Sequence, residues 1–236
     1  MTWEWILRWL SIVVLDLTLG GDNAVVIALA VRSLPKKHQR LGIVFGAGGA
    51  IVLRVAVTFI AAQLLRVPLL QFGGGVLLIW IAWKLVRQPP GAGEGHVRET
   101  SGLLEAVKII ILADFIMSTD NMLAVAAASH GDFFLLMFGL GLSIPIIMFC
   151  SALVAMLMNK YPWLVLLGGG ILGWVAGEMI VADKLVGAQI QSVIHIAHRA
   201  LPALLAVAVV IVAKWPELTG RLRARRHAAT VKSAGK

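Results

Sequence analysis

The sequence predicts an all-α membrane protein with seven transmembrane helices, arranged as two inverted three-helix repeats plus a seventh helix. Three observations carry that expectation. The chain is too apolar for a soluble surface. Its apolar runs have bilayer length. Two of those runs carry the same acidic motif.

Hydrophobic residues make up 59% of the 236, charged residues only 14%, and mean hydropathy is +0.90. Soluble domains carry about 25% charged residues, so this composition suits lipid rather than water. The net charge of +9 does not point to nucleic acid, because the basic residues lie between the apolar runs and in the tail. Cys150 is the single cysteine, which excludes an intrachain disulfide and a thiolate cluster for a soft metal. No glycine-rich phosphate loop is present, so a nucleotide-driven pump is not expected. Neither an enzyme activity nor a bound cofactor is expected.

A hydrocarbon core of about 30 Å needs roughly 20 apolar residues in a helix. Spans are expected at about 5–31, 42–65, 68–87, 103–128, 133–158, 162–182 and 196–214. The first reads as a mature span rather than a cleaved signal, because Asp16, Asp22 and Asn23 interrupt its apolar run. The stretch 88–102, QPPGAGEGHVRETSG, reads as a loop on account of its Pro-Pro and glycines. Residues 1–214 are thus expected to form one transmembrane domain: repeat one at about 5–87, repeat two at about 103–182, and the seventh helix at 196–214. Residues 215–236 are expected as a basic cytoplasmic tail, and its run Arg221 to His227 as an anchor on anionic lipid.

Lysine and arginine set the orientation. With seven spans, one side carries Arg8, Arg66, Lys184 and Arg199. The other carries sixteen basic residues, including Arg32, Lys36, Lys37, Arg40 and seven from Lys214 to Lys236. The expectation is therefore a bacterial inner-membrane protein with its N-terminus outside and its C-terminus in the cytoplasm.

The repeat is the most informative feature. LDLTLGGDNAVVIALA in the first span matches ADFIMSTDNMLAVAAA in the fourth, pairing Asp16 with Asp114, Asp22 with Asp120 and Asn23 with Asn121 at a constant offset of 98. FGGGVLLIWIA from Phe72 matches LGGGILGWVAG from Leu167 at an offset of 95. Three-span copies must insert in opposite orientations, and transporters of that plan bind substrate near the midplane where the copies meet.

Each intramembrane carboxylate costs about 2.5–3.5 kcal/mol to insert. Four at symmetric positions therefore point to function. Carboxylate, amide and carbonyl oxygens suit a hard divalent cation such as Mn(II), Mg(II) or Ca(II). The candidate metal-ligating residues are Asp16, Asp22, Asn23, Asp114, Asp120 and Asn121: Asp22, Asn23, Asp120 and Asn121 are expected to face each other across the pseudo-twofold axis, with Asp16 and Asp114 as extra ligands or relay positions toward the two mouths. Residues six apart point about 120° from each other in a helix. Gly20-Gly21 can relax this by unwinding the chain before Asp22, whereas Ser118 and Thr119 supply hydroxyls at the matching place. Arg54, in the middle of the second span, reads as a counter-ion to the carboxylates when no metal is bound, or else as a structural partner of one Asp or of helix-end carbonyls. Glu178 in the sixth span is a candidate exit-side ligand or an interfacial acid. Glu105 and Lys108 read as a solvated pair. His195 and His198, spaced i, i+3, read as an ordinary interfacial pair rather than a chelating one.

The paired motifs LTLGGDNAVVIALAVRSLP and DFIMSTDNMLAVAAA resemble those of the TerC family, in its short YjbE-type branch. The runs GAGGAIVLRVAVTFIAAQLL and GGGVLLIWIAWKLV add to the likeness, which extends from Leu15 to Trp215. The resemblance implies a multispanning protein similar in plan to the LysE exporter superfamily and tied to Mn(II) efflux, in some members to metal loading of secreted enzymes. It also places the family's acidic positions on Asp16, Asp22, Asp114 and Asp120. The expected function is export of a divalent metal, manganese(II) above others, by alternating access with proton coupling. The alternatives are a non-transporting metal-binding accessory protein and an exporter of another small substrate. Expected partners are the cation, the lipid bilayer, a second copy of the chain as a homodimer, and the secretion machinery. No cytoplasmic accessory domain, and no regulation through one, is expected.

Overall fold

The computed structural model describes residues 3–58, 60, 64, 67–88, 96–128, 132–193 and 199–214. Among them the regular structure is entirely helical. The helices are α1 (Trp3–Leu19), α2 (Gly21–Val31), α3 (Lys36–Thr58), α4 (Leu70–Arg87), α5 (His96–Ala128), α6 (Phe133–Lys160), α7 (Trp163–Ala182) and α8 (Val186–Val193), followed by α9 over residues 199–214. Helices α3, α4, α6 and α7 are each long and apolar enough to cross a membrane, and the bent pair α1–α2 makes up to a fifth such crossing. The sequence leads to seven. Charged Lys108 and Asp114 interrupt the apolar run of α5, and residues 199–214, the described part of α9, fall short of the roughly 20 a bilayer needs.

Two helices begin earlier than hydropathy suggests. α3 starts at Lys36 rather than 42, and α5 starts at His96, inside the stretch expected as a loop. Hydropathy marks where the apolar run begins, whereas KKHQR and HVRET contain no proline and are compatible with continuing a helix beyond it. α6 begins where Asp132 accepts a hydrogen bond from the Leu135 N–H (3.1 Å), an N-terminal cap. α8 occupies a stretch expected as a connection.

Small residues bring the helices together. Lipid gives apolar helices little reason to associate, so close packing over glycine is the usual device. A Cβ on Gly139 of α6 would meet Ile12 of α1 at 2.3 Å. A Cβ on Gly46 of α3 would meet Ile110 of α5 at 2.6 Å. Ile12 precedes Asp16 by one turn, and Ile110 precedes Asp114 by one turn. α4 and α7 pack antiparallel: Gly75 near the start of α4 lies on Ala176 and Ile180, and Gly169 near the start of α7 lies on Val86. α9 seats its backbone at Leu205 and Pro202 on Gly173 and Gly177 of α7. α2 is enclosed, with eight of its eleven residues buried, which explains why it is apolar nearly all round.

Polar ties close the helix ends. Arg32, just past α2, is buried and donates to the carbonyls of Leu85 (3.1 Å), Val86 and Gln88, so a residue counted among the orientation charges caps α4 instead. Asp183, just past α7, accepts from the N–H groups of Leu185 and Val186 and from Phe72 of α4 (3.2 Å). Burial pushes the Asp183 carboxyl up, but the three backbone donors together outweigh it and hold the group below its ordinary range.

Two predictions arise from this packing. Gly46→Ala and Gly139→Ala are each expected to destabilise the fold by about 1–3 kcal/mol, read as a lower unfolding temperature of the detergent-solubilised protein. Gly141→Ala, where a Cβ meets nothing within 4 Å, leaves it unchanged. The depressed Asp183 acid stabilises the fold above the ordinary carboxylate pKa of about 4, and that contribution is lost as pH falls through the folded value. Asp183→Asn should therefore flatten the acid limb of the stability curve, which thermal unfolding at stepped pH measures.

Candidate functional site

The site is organised by a break in the first motif. α1 ends at Leu19, Gly20 takes φ −109° and ψ 12°, and α2 leaves at 52° to α1. Glycine is required here by close approach: a Cβ on Gly20 would sit 2.8 Å from the Asp16 carbonyl oxygen and 3.3 Å from Asn23 Nδ2. The relaxation expected of Gly20-Gly21 thus falls on Gly20. The second motif stays helical through Ser118 and Thr119, and the Thr119 hydroxyl donates to the Phe115 carbonyl one turn back (2.7 Å).

The break frees a carbonyl. In a continuous helix the Asn23 N–H would serve Leu19, but it bonds the Gly20 carbonyl instead. Asn121 of the second motif supplies the missing donor: its Nδ2 lies 2.9 Å from the Leu19 carbonyl oxygen. Each motif's asparagine thereby reaches the other motif, since Asn23 Nδ2 donates to Asp114 Oδ1 at 2.9 Å.

At the centre lies one guanidinium. Arg54 Nη1 bonds Asp16 Oδ1, Arg54 Nη2 bonds Asp114 Oδ1, and Nε lies 3.3 Å from Asp114 Oδ2. All three residues are buried, with relative exposures of 6%, 2% and 9% for Arg54, Asp16 and Asp114. The other oxygen of Asp16 accepts from Ser143 Oγ of α6. Ser143 is 1% exposed and was not among the residues singled out from sequence. Its available signal was its position: a hydroxyl inside an apolar span, two residues before the in-helix Pro145.

The six expected ligands are therefore not all in one cluster. Asp16, Asp114 and Asn23 meet around Arg54. Asp22 lies in the first turn of α2, and its Oδ1 is buried without a hydrogen-bond partner, as is Asn23 Oδ1. Asn121 serves the Leu19 carbonyl. Asp120 lies on α5, but its side chain falls outside the described residues. Ser118 and Thr119 are buried beside the site. Among the described residues no three His, Cys, Asp or Glu side chains form a group able to hold a metal.

Peripheral residues fall elsewhere. Glu178 is on the exposed face of α7 and accepts from Trp174 Nε1 at 2.8 Å. Glu105 pairs with Lys84 of α4 rather than with Lys108. Lys84 in turn lies 4.9 Å from the Trp80 ring centroid. His195, His198 and the basic tail lie outside the described residues.

A family profile described as "Integral membrane protein TerC family" matches residues 1–220. The chain belongs to the TerC family. It is 40% identical over 184 residues to the uncharacterized membrane protein YjbE of Bacillus subtilis, covering 78% of this chain and 84% of that protein. It is 25% identical over 197 residues to YkoY of the same organism, covering 76% and 60%. It is 26% identical over 185 residues to the UPF0053 inner membrane protein YgdQ of Escherichia coli K12, covering 69% and 77%. No solved structure matches. This TerC-family chain is an integral, multi-pass membrane protein.

The Asn121 bond yields a prediction. Asn121→Ala removes the donor to the Leu19 carbonyl at an exposed bond and should lower stability by about 0.5–1.5 kcal/mol. Asn121→Asp should not restore it, because an ionised carboxylate cannot donate. Thermal unfolding of the three proteins measures both.

Proposed function

We propose that this TerC-family protein exports a hard divalent cation, manganese(II) above others, through the buried acidic site by alternating access. The observation that carries the reading is the meeting of Asp16 and Asp114. They hold matching places in the two sequence motifs, and they converge in the protein interior on one guanidinium. A purely structural acid needs one partner and no counterpart 98 residues away.

The oxygen chemistry supports the cation class. Carboxylates of Asp16, Asp22 and Asp114, the Asn23 amide oxygen and the Ser143 hydroxyl are hard donors, and two of these oxygens are buried and unpartnered. Such a set suits Mn(II), Ca(II) or Mg(II). The family resemblance favours manganese within that class. Asp120 completes the proposed set by its place in the second motif. Carboxylates that bind a cation can also bind protons, so proton exchange is the coupling we assign.

Seven spans in two inverted repeats fit the packing. The Ile12–Gly139 contact joins α1 to α6, and the Ile110–Gly46 contact joins α5 to α3, each isoleucine one turn before a motif acid. The antiparallel α4–α7 pair fits the same two-fold relation. The basic residues support an inner-membrane orientation with the C-terminus in the cytoplasm.

The test is Mn(II) flux into or out of proteoliposomes holding the purified protein. Asp16→Asn, Asp22→Asn and Asp114→Asn are each expected to reduce flux at least roughly tenfold, the effect of about 1.4 kcal/mol at the barrier. Flux equal to that of the parent in all three removes the site assignment. Flux indifferent to an imposed pH gradient removes the proton coupling alone.

A further inference from the structure

Arg54 makes the charged centre asymmetric. The glycine–isoleucine contacts align Gly46 of α3 with Gly139 of α6, an offset of 93, which sets Ile147 opposite Arg54. One half therefore carries the cation for acids contributed by both. The guanidinium reaches the two carboxylates that a dication would need, and it cannot share them: two cations a few ångströms apart in a buried site repel strongly.

We propose that Arg54 is a built-in competitor of the transported dication, which must displace the guanidinium from Asp16 and Asp114 in order to bind, and which the guanidinium expels in turn. This rests on the divalent-cation reading above. Arg54 takes the place of the substrate between the acids, so the site need never hold two bare carboxylates in the membrane interior. The geometry also gives an order. Asp114 receives two of the guanidinium contacts and Asp16 one. Displacement begins at Asp16, whose second oxygen stays fixed by Ser143. The unpartnered Oδ1 atoms of Asp22 and Asn23 are the oxygens free to meet the incoming cation first. Release reverses the order, Arg54 regaining Asp114 first and Asp16 second.

A competitor weakens binding in proportion to the time it occupies the site. If Arg54 leaves the acids free about a tenth of the time, removing it tightens binding about tenfold. The experiment uses the full chain in detergent and Mn(II) alone as the probe, with free Mn(II) followed by electron paramagnetic resonance. A merely structural arginine predicts the opposite, because its loss strands two buried acids and loosens the site. Folded Arg54→Gln, judged by monodisperse elution and helical circular dichroism, is expected to bind Mn(II) roughly tenfold more tightly and to turn over more slowly in proteoliposomes. Binding equal to or weaker than the parent overturns the proposal. Should Arg54→Gln fail to fold, Arg54→Lys carries the test. An ammonium is a point charge without the bridging fork, so binding about threefold tighter is expected. Unchanged or weaker binding by that variant overturns the proposal as well. A parent protein that neither binds nor moves Mn(II), Ca(II) or Mg(II) removes the transport reading and this inference with it. A parent that transports while the folded variants bind no tighter removes the inference alone.

Discussion

The bridge from Asp16 through Arg54 to Asp114 is the interaction on which the rest of the structure depends. It ties α1, α3 and α5 together in the interior, and Ser143 adds α6. Three charged groups at such depth would cost on the order of 9 kcal/mol to insert separately. Two ion contacts at an effective dielectric near 20 return about 4 kcal/mol each. The hydrogen bonds from Ser143 and Asn23 to the carboxylates offset the repulsion between the two acids. The centre is therefore roughly balanced: removing Arg54 strands two buried carboxylates, whereas removing either acid leaves the other paired with the guanidinium.

That balance requires close helices. A guanidinium can reach both acids only if α3 lies against α5 and α1 lies nearby. Gly46 and Gly139 permit those approaches, because a side chain at either place would strike the isoleucine one turn before a motif acid. Gly20 makes the third concession, letting the chain bend beside the Asp16 carbonyl and the Arg54 guanidinium. The small residues and the charged residues thus form one device: the first set the distances at which the second can pair.

Much of this was legible in the sequence. The helical class followed from composition, and the acidic positions and the relaxation at Gly20-Gly21 followed from the repeated motif. α7 begins and ends within a residue of its expected bounds. Helix starts at Lys36 and His96 were not legible, because hydropathy marks the apolar run and not the end of the hydrogen-bonded ladder. Within the site, Asp16, Asp114 and Arg54 were legible, but their meeting was not: the sequence puts Asp22, Asn23, Asp120 and Asn121 at the centre and Asp16 and Asp114 toward the mouths. Spacing along one helix says nothing about which oxygen a side chain from another helix will fill. Ser143 was missed for the same reason: a serine in an apolar span commonly bonds its own helix, as Ser151 does with the Ile147 carbonyl and as Ser143 Oγ also does, 2.8 Å from the Leu140 carbonyl. Asn121 Nδ2 meets the Leu19 carbonyl, an acceptor left free only because the other motif is broken.

The departures from two-fold likeness carry mechanical meaning. In a carrier built of two equal halves, the two end states would be equal in energy, and nothing would favour one resting arrangement. Here the first motif is bent at Gly20 while the second runs straight through Ser118 and Thr119. One asparagine serves a carboxylate and the other a backbone carbonyl, and a single arginine sits on one side of the relation. Each difference involves residues at or beside the charged centre, whereas the glycine contacts and the antiparallel α4–α7 pair keep the likeness. The likeness between the two motifs is kept where helices pack over glycine and lost at the charged centre.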